Sequence, residues 1–476
     1  MILDNKNSEE NKVAKAGAIY TFGNYLLKGL GFITIPIFSR LLDTTDFGIY
    51  NAFLSYEGIL YLFVGLALHS SIKNAKYKFG DENLDRYTSS ITIIPLVSSI
   101  IFLIAGNLLL PVIHDALNVD RAQLNLLIIM SLCSSVLYIY QSRLVIDYRT
   151  KEYLKISYFN AITSILFSIS LIMFVFPNRK YFGRILGTVL PMVLIAIWIL
   201  YKVYKKSLPN VNWKYWKYGL KIGVPIIPHG VGQVVLTSFD RIMILNMIGA
   251  SEAGLYSFAY TIYSIILVAG NSISTVLEPW AYEKLAAGDK RSLQRRSSQF
   301  ILGLAVLCGG TMLIAPELVL ILGSKKYLGA IPAVTPVLLG GFFAMAYTMP
   351  SIIEYYKEKT IHIAIGTGMA AIINIVLNAI FIPRYGYVAA AYTTLISYFC
   401  YYLYHSLISY RIIGFSMVPM KVNLAAVVLL LSTSLVAVKF SDSILARYSM
   451  GALILLAVGC FAWKNYKTYK SKKNNA

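Results

Sequence analysis

The chain has 476 residues, 57% of them hydrophobic and 14% charged, and a formal net charge of +21. A soluble chain of this length carries about 25% charged residues, so a large water-solvated domain is excluded. A β-barrel is excluded too: its strands would alternate polar and apolar over about 10 residues, whereas 421–438 and 447–463 are apolar on nearly all sides. With the bilayer as solvent, the backbone must satisfy its own hydrogen bonds inside helices.

Residues 1–15 are polar, with Asp4, Glu9 and Glu10 among the lysines. The next run is apolar and full length, and reads as an uncleaved helix rather than a signal peptide. A bilayer asks for about 20 apolar residues per helix, and about fourteen such helices are predicted. They fall at roughly 16–39, 51–72, 88–113, 122–142, 155–177, 184–204, 219–248, 256–282, 299–323, 331–353, 360–382, 387–410, 421–439 and 447–464. Cys133, Cys308, Cys400 and Cys460 lie inside these runs without metal-ligand spacing and read as small core residues. The mixed aromatic and basic stretch Asn212–Tyr218 is expected along the inner membrane interface.

Lys and Arg set the orientation, because short cytoplasmic loops carry them in excess. With the N-terminus inside, the inside segments include Lys73/Lys76/Lys78/Arg86, Arg143/Arg149/Lys151/Lys155, Lys284/Lys290/Arg291/Arg295/Arg296 and the tail from Lys464 to Lys473. Both termini are then cytoplasmic. One outer loop, Arg179/Lys180/Arg184, breaks the pattern. The basic charge is thus a topology signal and a contact with membrane lipids, not a nucleic-acid surface.

The chain repeats itself. Asp46-Phe47-Gly48-Ile49-Tyr50 has a counterpart in Glu252-Ala253-Gly254-Leu255-Tyr256, Lys15 in Lys221, and Pro111 in Pro316. Lys78-Phe79-Gly80-Asp81 and Ala287-Gly288-Asp289 occupy the same loop. A shift spanning six helices preserves orientation, so the repeats are parallel. The expected architecture is an all-α integral membrane protein: a lobe of helices 1–6 over 1–205, a lobe of helices 7–12 over 206–415, a central cavity between the lobes, and two extra helices with a basic tail over 416–476.

Several segments, in this order and spacing, carry a resemblance. They are Arg40 through Tyr50, Gly223-Val224-Pro225-Ile226-Ile227-Pro228 with Asp240-Arg241, Ala315-Pro316-Glu317 with Leu322-Gly323, and Ile373-Asn374-Ile375-Val376-Leu377-Asn378. Ile382-Pro383-Arg384-Tyr385-Gly386 and Ala389-Ala390-Ala391-Tyr392-Thr393-Thr394 complete the set. Over about 1–415 the chain resembles the polysaccharide transporter branch of the multidrug, oligosaccharidyl-lipid and polysaccharide exporter superfamily; the last two helices agree only in number. The resemblance implies a bacterial inner-membrane flippase. It would turn a polyprenyl-pyrophosphate-linked oligosaccharide toward the periplasm by alternating access, often ion-driven, for use by a glycan polymerase and other polysaccharide-assembly proteins.

Charged groups inside a bilayer are costly and face a cavity or a partner. Lys28 lies mid-way along the first helix with Asn24 and Gly31 on its face. Two readings stand: a cation for the pyrophosphate, or a lysine that pairs or snorkels. On a straight wheel His229, Gln233, Thr237 and Asp240 share an arc of the seventh helix, with Arg241 just beyond; Asp240 and Arg241 also read as a structural pair near the outer end. Tyr260, Ser264, Asn271, Thr275 and Glu278 share one on the eighth, and Tyr347, Ser351 and Glu354 one on the tenth. These stripes suit a water-filled vestibule, or helix–helix hydrogen bonds. Glu57 and Glu278, near helix ends, are candidates for a coupling ion, with an ordinary solvated carboxylate as the alternative. His69, His362 and His405 read as isolated and interfacial, and Asn374 with Asn378 as a helix lock. No nucleotide loop, metal motif or nucleophile elbow occurs, so no cofactor, metal or catalytic residue is expected.

Three other functions compete with the flippase. A drug exporter of the superfamily would want central acids rather than Lys28 and Arg241. A lipid II flippase belongs to the related peptidoglycan branch. A membrane-embedded glycan polymerase or ligase would carry a long outer loop, and no loop here exceeds roughly 20 residues.

Overall fold

Ten helices among the described residues are long and apolar enough to cross a membrane, or eleven if one bent pair counts as a single span. This computed structural model describes residues 2–454 and Leu456, and that stretch is helical with no strand. Packing divides the chain into two units, Met1–Gly254 and Leu255–Ala476. These are units of contact, whereas the divisions at 205 and 415 come from the sequence repeat.

The first unit opens with α1 (Ile2–Leu41) and α2 (Thr44–Val64). α2 begins seven residues before the predicted 51, because Asp43 caps it: the Asp43 carboxylate accepts from Asp46 N at 2.8 Å. It also ends early, since Leu66 and Ala67 take left-handed backbone with φ of 46°. Next come α3 (Ile72–Phe79), α4 (Asp81–Ile91), α5 (Ile93–Leu108) and α6 (Leu110–Leu117), with Pro111 in the first turn of α6. They lead to α7 (Arg121–Ile146), α8 (Thr150–Ser170) and α9 (Lys180–Lys206). A single long span is built from α10 (Trp213–Gly223), α11 (Ile227–Val234) and α12 (Asp240–Met247), joined by a 3₁₀ turn and a π-turn.

α7 is the axis of this unit. Its Ile128, Val136 and Leu144 are buried in one cluster with Ile185, Val189 and Ile199 of α9. Between helices in lipid, close backbone approach and hydrogen bonds replace the hydrophobic drive. Accordingly a Cβ on Gly187 would lie 2.4 Å from Ser168 Cα. The tightest approach joins repeat counterparts. A Cβ on Gly48 would sit 1.8 Å from Ala250 O, and one on Gly254 1.9 Å from Thr44 O. Thr44 Oγ1 and Ser251 Oγ bond alongside at 2.8 Å.

One charge placement changes in this unit. Arg184 is not in a loop. It lies on α9 with its guanidinium 3.6 Å from the Phe38 ring centroid and 4.7 Å from that of Tyr50, and donates to Ser168 Oγ at 2.8 Å. A cation held over ring faces carries no topology vote, and the exception to the charge rule shrinks to Arg179 and Lys180. The aromatic–basic stretch forms α10, capped by Asn212, which packs Tyr215 and Tyr218 on Phe79 while Trp216 Nε1 donates to Ser90 O at 2.9 Å.

α13 (Ala250–Ala286) leads into the second unit. α14 (Lys290–Leu313) and α15 (Ala315–Gly323) are bent by 68° at Pro316, the counterpart of Pro111. Gly80 and Gly288, in the equivalent loops, both take positive φ. α16 (Ile331–Ala346) is buried from Ala333 onward, and α17 (Thr348–Tyr356) continues it. α18 (Ile361–Tyr385) and α19 (Tyr387–Ile413) are locked by the two asparagines, as their spacing predicts. Asn378 donates to Asn374 Oδ1 at 3.1 Å, Asn374 to Thr394 Oγ1 at 2.9 Å, and Thr393 to Asn378 Oδ1. α20 (Met420–Lys439) and α21 (Ile444–Ile454) close the described chain. α1, α19 and α21 occupy predicted spans but fall outside the ten. The rest of the predicted last helix, Cys460 and the basic tail lie outside the described residues.

Candidate substrate and ion-coupling site

In the first unit Lys28 is exposed on α1 and makes no ion pair or hydrogen bond among the described residues. Asn24, one turn earlier, donates to Tyr20 O at 2.9 Å and leaves its carbonyl free to accept. The snorkelling reading of Lys28 keeps its place; pairing with a described carboxylate does not.

The polar stripe of the seventh span is altered by backbone geometry. Residues Val235–Phe239 form a π-turn, which inserts one residue and rotates the remainder of the span by about 100° from the straight wheel. His229 and Gln233 are half-buried and Thr237 is exposed, but Asp240 is 1% exposed. The expectation of one open stripe is therefore corrected at Asp240. Arg241, half-buried, donates to Thr237 O at 2.9 Å.

Glu57 is not near a helix end. The early start of α2 places it inside the span, half-buried, accepting from Ser134 Oγ of α7 at 2.7 Å. The solvated-carboxylate reading is corrected for Glu57. Glu278 is exposed on α13, with Tyr282 OH donating to its Oε1 at 3.5 Å. On the same helix Tyr260, Ser264 and Asn271 are half-buried and Thr275 is exposed, so the stripe opens toward its end.

The tenth-helix stripe does not line an open space. Ser351 is 4% exposed and Glu354 0%. Glu354 Oε1 meets His405 Nδ1 at 2.7 Å, and His405 is also fully buried. His405 is thus neither isolated nor interfacial. Tyr347, half-buried, stacks 4.4 Å from Tyr401 and 5.6 Å from His405. Glu354 Oε2 and His405 Nε2 have no hydrogen-bond partner. A signal existed: two ionisable residues in separate apolar helices are each other's natural partners.

Among the described residues no group of three or more His, Cys, Asp and Glu side chains is placed to hold a metal ion. The sequence profile of the polysaccharide biosynthesis protein family matches residues 13–283, more than half of the chain. The chain belongs to this family. Among its relatives is an uncharacterised membrane protein of Methanocaldococcus jannaschii, 22% identical over 430 residues, which cover 83% of this chain and 84% of the relative. Among solved structures, the inward closed conformation of the lipid II flippase MurJ shares the fold with a TM-score of 0.72. It is 15% identical over 94% of this chain and 99% of its own. An inward-facing multidrug resistance transporter of the MATE family has a TM-score of 0.62 and is 12% identical, over 83% of this chain and 94% of its own. This polysaccharide biosynthesis family member is therefore a multi-pass membrane protein with the fold of the MOP superfamily transporters.

Proposed function

We propose that the protein moves polyprenyl-pyrophosphate-linked oligosaccharide units from the cytoplasmic to the periplasmic leaflet of the bacterial inner membrane by alternating access. Both termini are then cytoplasmic, and the two sequence repeats act as the two moving lobes. The family match over residues 13–283 carries the reading. The MurJ-like fold supports a lipid-linked cargo.

Within this reading Lys28 takes the pyrophosphate. An exposed, unpaired cation half-way along a transmembrane helix suits it, and Lys holds phosphate as a point charge without demanding a fixed fork geometry. Asn24, His229, Gln233, Thr237 and Arg241, all of the first unit, supply weaker polar contacts. Asp240, being buried, supports the seventh helix rather than the cargo. Glu57 is the better candidate for a coupled proton or cation, because it is half-buried inside its span and held by Ser134 Oγ, whereas Glu278 is exposed.

Deleting the protein and identifying the lipid-linked intermediate that accumulates on the inner leaflet tests the function. Accumulation of undecorated lipid II instead of a polysaccharide repeat unit would move the protein to the second reading, a lipid II flippase, which the MurJ-like fold favours.

A further inference from the structure

A cavity of about 260 Å³ lies at the end of the first unit that carries the Leu117–Arg121 turn. None of the site residues named above lines it. Its polar lining comes from His114, Asn118, Asp120, Gln123 and the hydroxyls of Tyr56 and Tyr181, and its aromatic lining from Tyr56 and Tyr181, with the buried Phe53 behind them. Tyr56 OH donates to Leu117 O at 2.7 Å and fixes the turn against α2.

The local chemistry leaves hydrogen-bonding capacity facing outward from the turn. Asp120 and Gln123 form a reciprocal cap at the start of α7. Asp120 Oδ1 accepts from Gln123 N at 2.7 Å, and Gln123 Oε1 accepts from Asp120 N at 3.0 Å. The cap consumes one oxygen of each side chain. Asp120 Oδ2, an acceptor, and Gln123 Nε2, a donor of two hydrogens, keep no protein partner among the described residues. His114 is oriented by Nδ1, 3.3 Å from Val119 O, which leaves Nε2 over. Asn118, in left-handed backbone with φ of 52°, adds an amide with both a donor and an acceptor.

No Lys or Arg lines the cavity, and Asp120 does. A phosphate or carboxylate ligand would face repulsion without compensation. A hydroxyl-rich neutral ligand fits instead: each hydroxyl both donates and accepts, matching the mixed lining. Aromatic faces suit the apolar C–H face of a ring. The volume is just under the range of about 300–1,000 Å³ that houses drug-sized molecules, which sets the ligand at one ring.

We propose that this cavity binds one sugar ring, through hydroxyls held by Asp120 and Gln123 and a C–H face laid on the aromatic wall. Its source as a sugar of the transported glycan rests on the function proposed above. On that orientation the cavity opens to the periplasm, where a flipped glycan arrives.

The test is saturation-transfer NMR on the full chain in nanodiscs. The probes are methyl α-glucoside, methyl α-galactoside and N-acetylglucosamine, with inorganic phosphate as competitor. Asp120→Asn keeps the helix cap, since Asn caps as well as Asp, but replaces a charged acceptor. Tyr181→Phe removes only a hydroxyl. Ring-proton transfer from at least one glycoside is expected in the wild type, weakened about tenfold in Asp120→Asn, the loss of one hydrogen bond to a charged group. Silence from all three glycosides, equal signals in wild type and both variants, or displacement by phosphate each overturn the proposal. Flipping of lipid-linked glycan in vesicles is scored separately. A flippase silent toward glycosides loses this site alone, and a sugar-binding protein that flips nothing loses the transport reading alone.

Discussion

Glu354 and His405 are the two most deeply placed titratable side chains that face each other in the second unit, and their environment has consequences for mutation. Around them stand Tyr347 of the tenth span, Tyr401 and Tyr404 of α19, and Gly366 of α18, whose Cβ would lie 2.7 Å from His405 Nε2. Removing one member of a buried pair strands the other and costs about 3–5 kcal/mol, while replacing both with apolar groups is often neutral. His405→Leu is therefore expected to lower the unfolding midpoint in detergent sharply, and Glu354→Leu/His405→Leu to recover most of it. A double variant no better than the single would show that the pair does more than fill space. Lys28 is the opposite case, exposed and unpaired. Lys28→Ala is expected to insert and accumulate normally while glycan export is abolished, and Lys28→Arg to retain partial export. Wild-type export from Lys28→Ala would remove this lysine from the cargo site.

Helix contacts divide the glycines into two kinds. A Cβ on Gly48 would meet a backbone carbonyl at 1.8 Å, whereas one on Gly368 of α18 would meet nothing within 4 Å. Gly48→Ala is expected to destabilise by about 1–3 kcal/mol, the usual cost of overpacking. Gly368→Ala should be neutral or stabilising by up to about 1 kcal/mol, because Gly is a poor helix former. Thermal unfolding of the two variants side by side checks this. The same elements show what was legible in the sequence. Apolar runs located the helices and the repeat matched Gly48 with Gly254 as counterparts, because both signals are local or periodic; that the two glycines meet is a property of the fold. Helix starts were misplaced where a polar cap such as Asp43 precedes the apolar run. The seventh-span wheel failed at Asp240 because no residue type announces a π-turn. The pairing of Glu354 with His405, 51 residues apart, needed the tertiary arrangement.

At the scale of the whole chain, orientation and energy can be tested together. Cysteines placed at Asn118 and Asp442, both exposed, should react with an impermeant reagent from outside, and one at Arg291, also exposed, should not. Outside labelling at position 291 would invert the assignment. With that orientation, a doubly negative pyrophosphate leaving a negative interior gains about 2.3 kcal/mol per charge per 100 mV. Flipping in reconstituted vesicles should accelerate when a negative-inside potential is imposed. A rate indifferent to potential but dependent on added ATP would remove this mechanism.

The break in the ninth span is finished by a residue from the far end of the chain. Pro316 interrupts the helical ladder, and the Leu313 carbonyl left at the bend is taken by Arg447 Nη1 of α21, which also binds Glu317 at 2.8 Å while only 1% exposed. The bend is synthesised before its partner, which emerges more than a hundred residues later. Until α21 enters the bilayer, a carbonyl and a carboxylate wait unpaired in the nascent second unit. Maturation of this unit is therefore tied to completion of the polypeptide, and a chain stopped at Lys439 is expected to be cleared by membrane proteases rather than to accumulate, as a pulse-chase of the truncated form would record.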